Sequence, residues 1–194
     1  GDIPIGICRD SVPAWADTRL FHFNGQAGAP PDAFAKHGQN WGFPTYNWDE
    51  MRKDGYAWWK ERFRHMGEYF DAYRIDHVLG FFRIWEIPYE HVYGLLGFFR
   101  PALPLAETEM QTFGFYGNPE ELSRPILTET RLAELQHSLG GVSLQTYFDV
   151  YTKANGEVGY VLKEELNTQR KILAAVPEGH LRQVLLDVVA EVLF

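Results

Sequence analysis

Cysteine occurs once among the 194 residues, as Cys8, which excludes an internal disulfide and a thiolate metal cluster. A reducing compartment, the cytoplasm, is the natural expectation. Positive charge is scarce too: 18 Lys and Arg stand against 26 Asp and Glu, a net charge of −8. Without a positive field to attract phosphates, neither nucleic acid nor an anionic membrane surface is an expected partner. No apolar run approaches the roughly 18 residues of a membrane span, and the start GDIPIGICRD is neither a basic n-region nor an h-region. The seven histidines (His22, His37, His65, His77, His91, His137 and His180) form no His-x-x-x-His pair, so no metal is expected. No G-x-G-x-x-G, P-loop or G-x-S-x-G motif is present, which removes nucleotide cofactors and serine hydrolysis.

Aromatic rings are the abundant feature: 14 Phe, 10 Tyr and 6 Trp make 15% of the chain, enough for some to face a ligand such as a sugar. With 45% hydrophobic residues the chain can build one compact domain or a large piece of a bigger one. It opens on apolar Ile3 to Ile7 and runs straight into Arg9, Asp10 and Ser11, as a buried strand ending in a polar loop would. Such an abrupt start suggests a fragment of a longer protein. Cys8, inside that strand pattern, reads as a small buried residue. From Asn24 to Asn47, four glycines and three prolines predict one long loop without a helix or long strand. Loops of that length tend to be lids or binding loops, and this one carries Phe34, Trp41, Phe43 and Tyr46.

Asn47 and Glu50 resemble a capping box that opens a helix, with Trp59, Phe63, Met66 and Phe70 on its apolar face. Ala72 to His77, AYRIDH, follows as a second strand. Strand, loop, helix, strand is the order of a parallel α/β sheet or barrel, whose ligands sit at the carboxyl ends of the strands. Beyond Pro88, helices are expected over Tyr89 to Phe99, Thr128 to Leu139, Lys163 to Val176 and Leu181 to Phe194, with a β-hairpin over Thr146 to Leu162 turning at Asn155-Gly156. LGFFR occurs twice, at Leu79 to Arg83 and Leu96 to Arg100, too few copies for a repeat architecture.

Strand alternation puts Arg74 and Asp76 on one face near the carboxyl end of their strand. A guanidinium there can hold a carboxylate ionised, as a nucleophile needs, or the two can be a structural salt bridge. Spacing alone does not choose between these, and it leaves His77 without a role.

Four strings read together go further. GDIPIGICRDSVPAW, GQAGAPPDAF, GQNWGFPTYNW and YRIDHVLGFFRIWEIP resemble, in order and spacing, the catalytic motifs of the 4-alpha-glucanotransferases (amylomaltases or disproportionating enzymes) of glycoside hydrolase family 77. The resemblance covers residues 1–91 and implies an α/β fold, part of a (β/α)₈ TIM barrel. Residues 92–194 are then a mostly helical insertion or subdomain, and YVLKEELNTQRKI resembles the long insertion of the plant and bacterial enzymes that act on maltose and branched glucan. Asp76 matches the nucleophile and Arg74 the arginine that holds it. Asp10, Gln39, Trp41 and His77 match positions that contact glucose units, and Phe34 lies in the flap on the acceptor side, where Ala33 replaces a common aromatic.

The implied activity transfers α-1,4-glucan segments between maltose, maltooligosaccharides or branched α-glucan by a retaining double displacement, without a cofactor. Such chemistry needs two carboxyl groups about 5 to 5.5 Å apart. Only the first is found, so the acid/base glutamate is expected beyond Phe194 and the isolated chain is expected to be inactive. The alternatives are an α-amylase-type hydrolase and a noncatalytic glucan-binding fragment. Exposed strand edges of a partial barrel would also favour self-association.

Overall fold

The structure is a computed structural model that describes residues 1–192, the side chain of Glu120 excepted. It divides into two compact units, Gly1–Ala102 and Leu103–Phe194. Position 91, where the change of character is expected, falls inside the first, because a later strand completes that unit's sheet.

Unit 1 contains eight short strands: β1 (Asp2–Ile3), β2 (Phe21–His22), β3 (Gly25–Ala29), β4 (Gln39–Asn40), β5 (Thr45–Tyr46), β6 (Arg74–Ile75), β7 (Ile84–Pro88) and β8 (Phe98–Arg100). Its helices are α1 (Val12–Ala16), α2 (Trp48–Lys53) and α3 (Ala57–Gly67). β1 and β6 pair in parallel, Asp2 opposite Arg74 and Ile3 opposite Ile75. Strand, helix and parallel strand therefore occur in the expected order, although Pro4, which has no N–H to donate, follows directly on β1. The other pairings in the unit are antiparallel: β2 with β5, and a four-stranded sheet in the order β4-β3-β7-β8.

That sheet corrects two expectations. Asn24 to Asn47 is not one loop, since β3, β4 and β5 lie within it. Its breakers are unevenly placed: residues 25–29, GQAGA, contain no proline, and Gly25 and Gly28 let β7 and β4 close in on β3. Tyr89 to Phe99 is not a helix either. Gly94 to Leu96 form one 3₁₀ turn, and Phe98 already belongs to β8. Two glycines, Gly94 and Gly97, outweigh the apolar spacing there.

The helical expectation from Asn47 onward holds in two pieces. The Asn47 side chain accepts a hydrogen bond from the Glu50 N–H (3.3 Å), capping α2. Gly55 (φ +68°) and Tyr56 (φ +63°) then break the chain before α3, whose first N–H, that of Ala57, donates to Asp54 Oδ1. Of the expected apolar face, Trp59 is buried, Phe63 and Met66 are half-buried, and Phe70 lies beyond the helix and exposed. The core gathers Ile3, Ile5, Ile7, Leu20, Phe21, Tyr46, Met51, Trp59 and Ile84. Burial pushes the Tyr46 phenol up to about 12, against the pull of the neighbouring Arg62 guanidinium. Cys8, expected to be buried, is exposed, since the chain leaves the core after Ile7.

Unit 2 comprises α4 (Glu107–Thr112), α5 (Pro119–Leu122), α6 (Glu129–Ser138), the antiparallel hairpin β9 (Phe148–Thr152) and β10 (Val158–Leu162), α7 (Gln169–Ala175) and α8 (His180–Val189). The hairpin turns where expected, with Gly156 at φ +87°. Thr128 caps α6 as its side chain accepts from Arg131 N–H, and Thr168 caps α7 likewise. That second cap is why Lys163 to Val176 is a 3₁₀ turn followed by a short helix, not one helix. The expected helix Leu181 to Phe194 runs from His180 to Val189, and its last two expected residues lie outside the described residues. Leu132, Leu135, Phe148, Leu162, Ile172, Leu185 and Val188 are buried in this unit. Among the described residues no helix is long and apolar enough to cross a membrane.

Candidate active site

Hydrogen bonding continues the β1–β6 ladder one residue further, as the Asp76 N–H donates to Ile3 C=O (3.0 Å). Asp76 therefore stands at the carboxyl end of the parallel pair, and its side chain is exposed. It lines a cleft of about 480 Å³ with Ile5, Trp41, Phe43 and His77.

Each wall of the cleft has a local cause. Ile5 continues the alternation of Ile3 and Ile7 out of β1. Trp41 is held on both sides: its backbone N–H donates to Ala27 C=O (2.9 Å) and its indole N–H to Gln39 Oε1 (3.1 Å). Its ring meets His77 edge-on, with centroids 4.9 Å apart and planes at 78°. His77 adopts the left-handed conformation (φ +49°, ψ +56°), uncommon for a residue with a side chain and a form of strain that collects at functional sites. Phe43 leans on Gly6, where a Cβ would stand 2.4 Å from the ring. Only glycine allows that approach.

Of the seven residues expected from sequence, the cleft brings together Trp41, Asp76 and His77, with Gln39 joined through the indole. The others stand apart. The Arg74 guanidinium faces the residue opposite it on β1, Nε lying 3.0 Å from Asp2 Oδ1, and both side chains are largely exposed. Asp10 occupies the exposed turn closed by Ser11 N–H to Cys8 C=O. Phe34 is 98% exposed, in a turn whose N–H groups at 34 and 35 donate to Asp32 Oδ1. Ile5 and Phe43 are the cleft residues that sequence reasoning missed. Their signal was alternation, Ile5 with Ile3 and Phe43 with Trp41.

Two larger hollows, about 730 and 600 Å³, flank α3, one lined by Trp58 and Arg62 and the other by Trp59 and Phe63; neither contains Asp76. Among the described residues no group of three His, Cys, Asp or Glu is placed to hold a metal.

An ionisable carboxylate at a strand end, open to solvent and walled by aromatic rings, is chemically suited to a polyhydroxylated ligand whose C–H faces can rest on the rings. The sequence as a whole gives this arrangement a family. Residues 1–186 match the model of glycoside hydrolase family 77, described as 4-alpha-glucanotransferase. The chain belongs to that family.

A protein of Oryza sativa subsp. japonica named 4-alpha-glucanotransferase DPE2 is 44% identical over 96% of this chain and 19% of its own length. A Chlamydia pneumoniae 4-alpha-glucanotransferase is 46% identical over 44% of this chain and 16% of its own. The chain thus spans less than a fifth of either relative. Among solved structures, the amylomaltase from Streptococcus agalactiae in complex with acarbose superposes with a TM-score of 0.50 at 31% identity, covering 72% of this chain and 30% of that one.

Proposed function

We propose that this chain carries the nucleophile-bearing part of a 4-alpha-glucanotransferase, an enzyme that moves α-1,4-glucan segments between maltose, maltooligosaccharides or branched α-glucan. The observation that carries the reading is Asp76, exposed at the carboxyl end of a parallel strand pair, in a cleft walled by Trp41, Phe43 and His77. In this reading an Asp76 carboxylate oxygen attacks the anomeric carbon as the glycosidic C–O bond breaks, and a second carboxyl group protonates the departing oxygen. The 4-hydroxyl of an acceptor glucan then displaces Asp76 and yields its proton to that same second group. Trp41 and His77 hold the glucose ring, Gln39 orients Trp41, and Arg74, two residues before Asp76, is assigned to the site as well, its guanidinium lying in this structure against Asp2. Asp10 and Phe34 reach further sugar units, Phe34 from the exposed turn of the β3–β4 connection.

For the fold, we assign residues 1–91 to a partial (β/α)₈ barrel and residues 92–194 to an insertion, whose first strand, β8, pairs back onto β7. The parallel β1–β6 pair with α3 between its strands supports this, as do the hollows on both sides of α3, where a barrel seats neighbouring helices. Free, exposed Cys8 fits the reducing cytoplasm.

The test is Asp76→Asn in the whole protein, assayed on maltotriose. The unsubstituted enzyme should yield glucose and longer oligomers at a constant number of reducing ends. Asp76→Asn should lower transfer by about three orders of magnitude or more while maltoheptaose still binds. Rising reducing ends would mark a hydrolase, and equal loss of binding and turnover would mark Asp76 as structural.

A further inference from the structure

Arg9 follows the residues that continue β1 and is half-buried. Its Nε–H donates to Gly42 C=O (3.0 Å), its Nη1 to Phe23 C=O (2.8 Å) and its Nη2 to Gly25 C=O. The guanidinium also lies over the Tyr89 ring, 4.7 Å from the centroid. One planar fork thus gathers three carbonyls from two stretches of the chain, which a lysine's single ammonium could not reproduce.

Gly42 sits between Trp41 and Phe43, the two aromatic walls of the Asp76 cleft. The other backbone ties of this stretch run to β3 and β4: Trp41 N–H to Ala27 C=O, Ala27 N–H to Phe43 C=O, and Gly42 N–H to Asn40 Oδ1. Arg9 adds the tie to the segment leaving β1, which carries Ile5 on the cleft's other side.

We infer that Arg9 is a positioning residue for the sugar site: without touching the sugar, it fixes the spacing between the Trp41–Phe43 wall and Ile5 through the Gly42 carbonyl. The inference rests on the reading of the cleft given under Proposed function. A rigid aromatic wall lowers what a sugar must spend on ordering its site, so a loosened wall weakens binding.

The experiment is Arg9→Lys, which keeps the charge and loses the fork. Titrated calorimetrically with maltoheptaose, the variant should bind about tenfold more weakly at unchanged stoichiometry. The amides of Ala27 and Trp41 should exchange with solvent about tenfold faster, while the β9–β10 hairpin is unaffected. An unchanged dissociation constant, or a falling stoichiometry at constant affinity, would overturn the inference, since a merely structural residue lowers only the fraction of competent molecules. If the unsubstituted chain itself gives no binding heat, the sugar reading fails, and unchanged exchange in Arg9→Lys would still refute the positioning role by itself. Should Arg9→Lys not fold, nitrogen NMR of the unsubstituted chain decides: a slowly exchanging Arg9 Nε–H is expected, and one averaged with solvent refutes the tie.

Discussion

Glu86 is 4% exposed within β7, where one carboxylate oxygen accepts from the Thr45 hydroxyl (2.5 Å) and the other from Arg100 Nη1 (2.9 Å). A buried carboxylate is tolerable only with such partners, and taking one away leaves the charge uncompensated. Arg100 is 46% exposed, so water recovers part of the loss. Arg100→Ala should therefore cost about 1 to 3 kcal/mol, and Thr45→Val about 1 to 2, both read from the midpoint of urea unfolding. His22 lies in the same neighbourhood. Burial, then the Arg100 charge, lowers its pKa below the ordinary 6.5, and burial does the same for His91. Both are favoured neutral in the folded state, while the unfolded chain takes up protons first as pH falls. Their contribution is complete above about pH 6.5 and declines as pH drops through the window below it. Stability should fall between pH 7 and 5, and His22→Gln with His91→Gln should flatten that slope; an unchanged slope would contradict the assignment. At this scale the family motifs pointed to Asp76, Trp41 and His77, which the structure brings to one cleft. The sequence hid Arg9, because the carbonyls it binds belong to every residue alike and leave no signature in the side chains.

Among elements, the cap of α2 and the hairpin were legible because their signals are local: Asn47 with Glu50, and the Asn155-Gly156 turn. The two-residue strands β4 and β5 were not, since they are defined by what lies across from them. LGFFR makes the point within one chain. From Leu79 it continues a 3₁₀ turn into a bend, and from Leu96 it leads into β8, where Phe99 sits opposite Trp85. The same five residues take the shape their neighbours allow. β3 shows what the breaker count missed. Gly28 is there because β4 is so close that a Cβ would lie 2.1 Å from the Gln39 carbonyl oxygen and 2.7 Å from Ile87 Cδ1. Gly28→Ala should cost about 3 kcal/mol and push β4 outward, weakening maltoheptaose binding through Gln39 and Trp41. Gly156→Ala meets nothing within 4 Å and strains only its φ of +87°, so about 1 kcal/mol is expected, with binding unchanged. Equal losses from the two substitutions, by thermal unfolding and calorimetry, would show that the β3–β4 contact does not shape the site.

For the whole molecule, the two-unit organisation makes a claim about where each core resides. All six tryptophans, Trp15, Trp41, Trp48, Trp58, Trp59 and Trp85, belong to unit 1, so indole emission reports on that unit alone. The stretch from Pro101 to Ala106 has no regular structure, and Leu103 and Leu105 are 94% and 59% exposed. Pro104 protects the bond after Leu103 from chymotrypsin, which leaves Leu105–Ala106 as the accessible bond there. Phe113 and Tyr116 are exposed as well, and so is Phe34 in the turn between β3 and β4, outside the β3–β7 ladder. Brief chymotrypsin digestion should therefore cut between residues 105 and 116 before it cuts the β3–β7 sheet. Because Ile3, Leu20, Met51 and Trp59 are enclosed within unit 1 itself, the tryptophan emission maximum and its quenching by maltoheptaose should survive that cut. A red shift on cleavage would contradict this, since it would show that the core of unit 1 is not closed by its own residues.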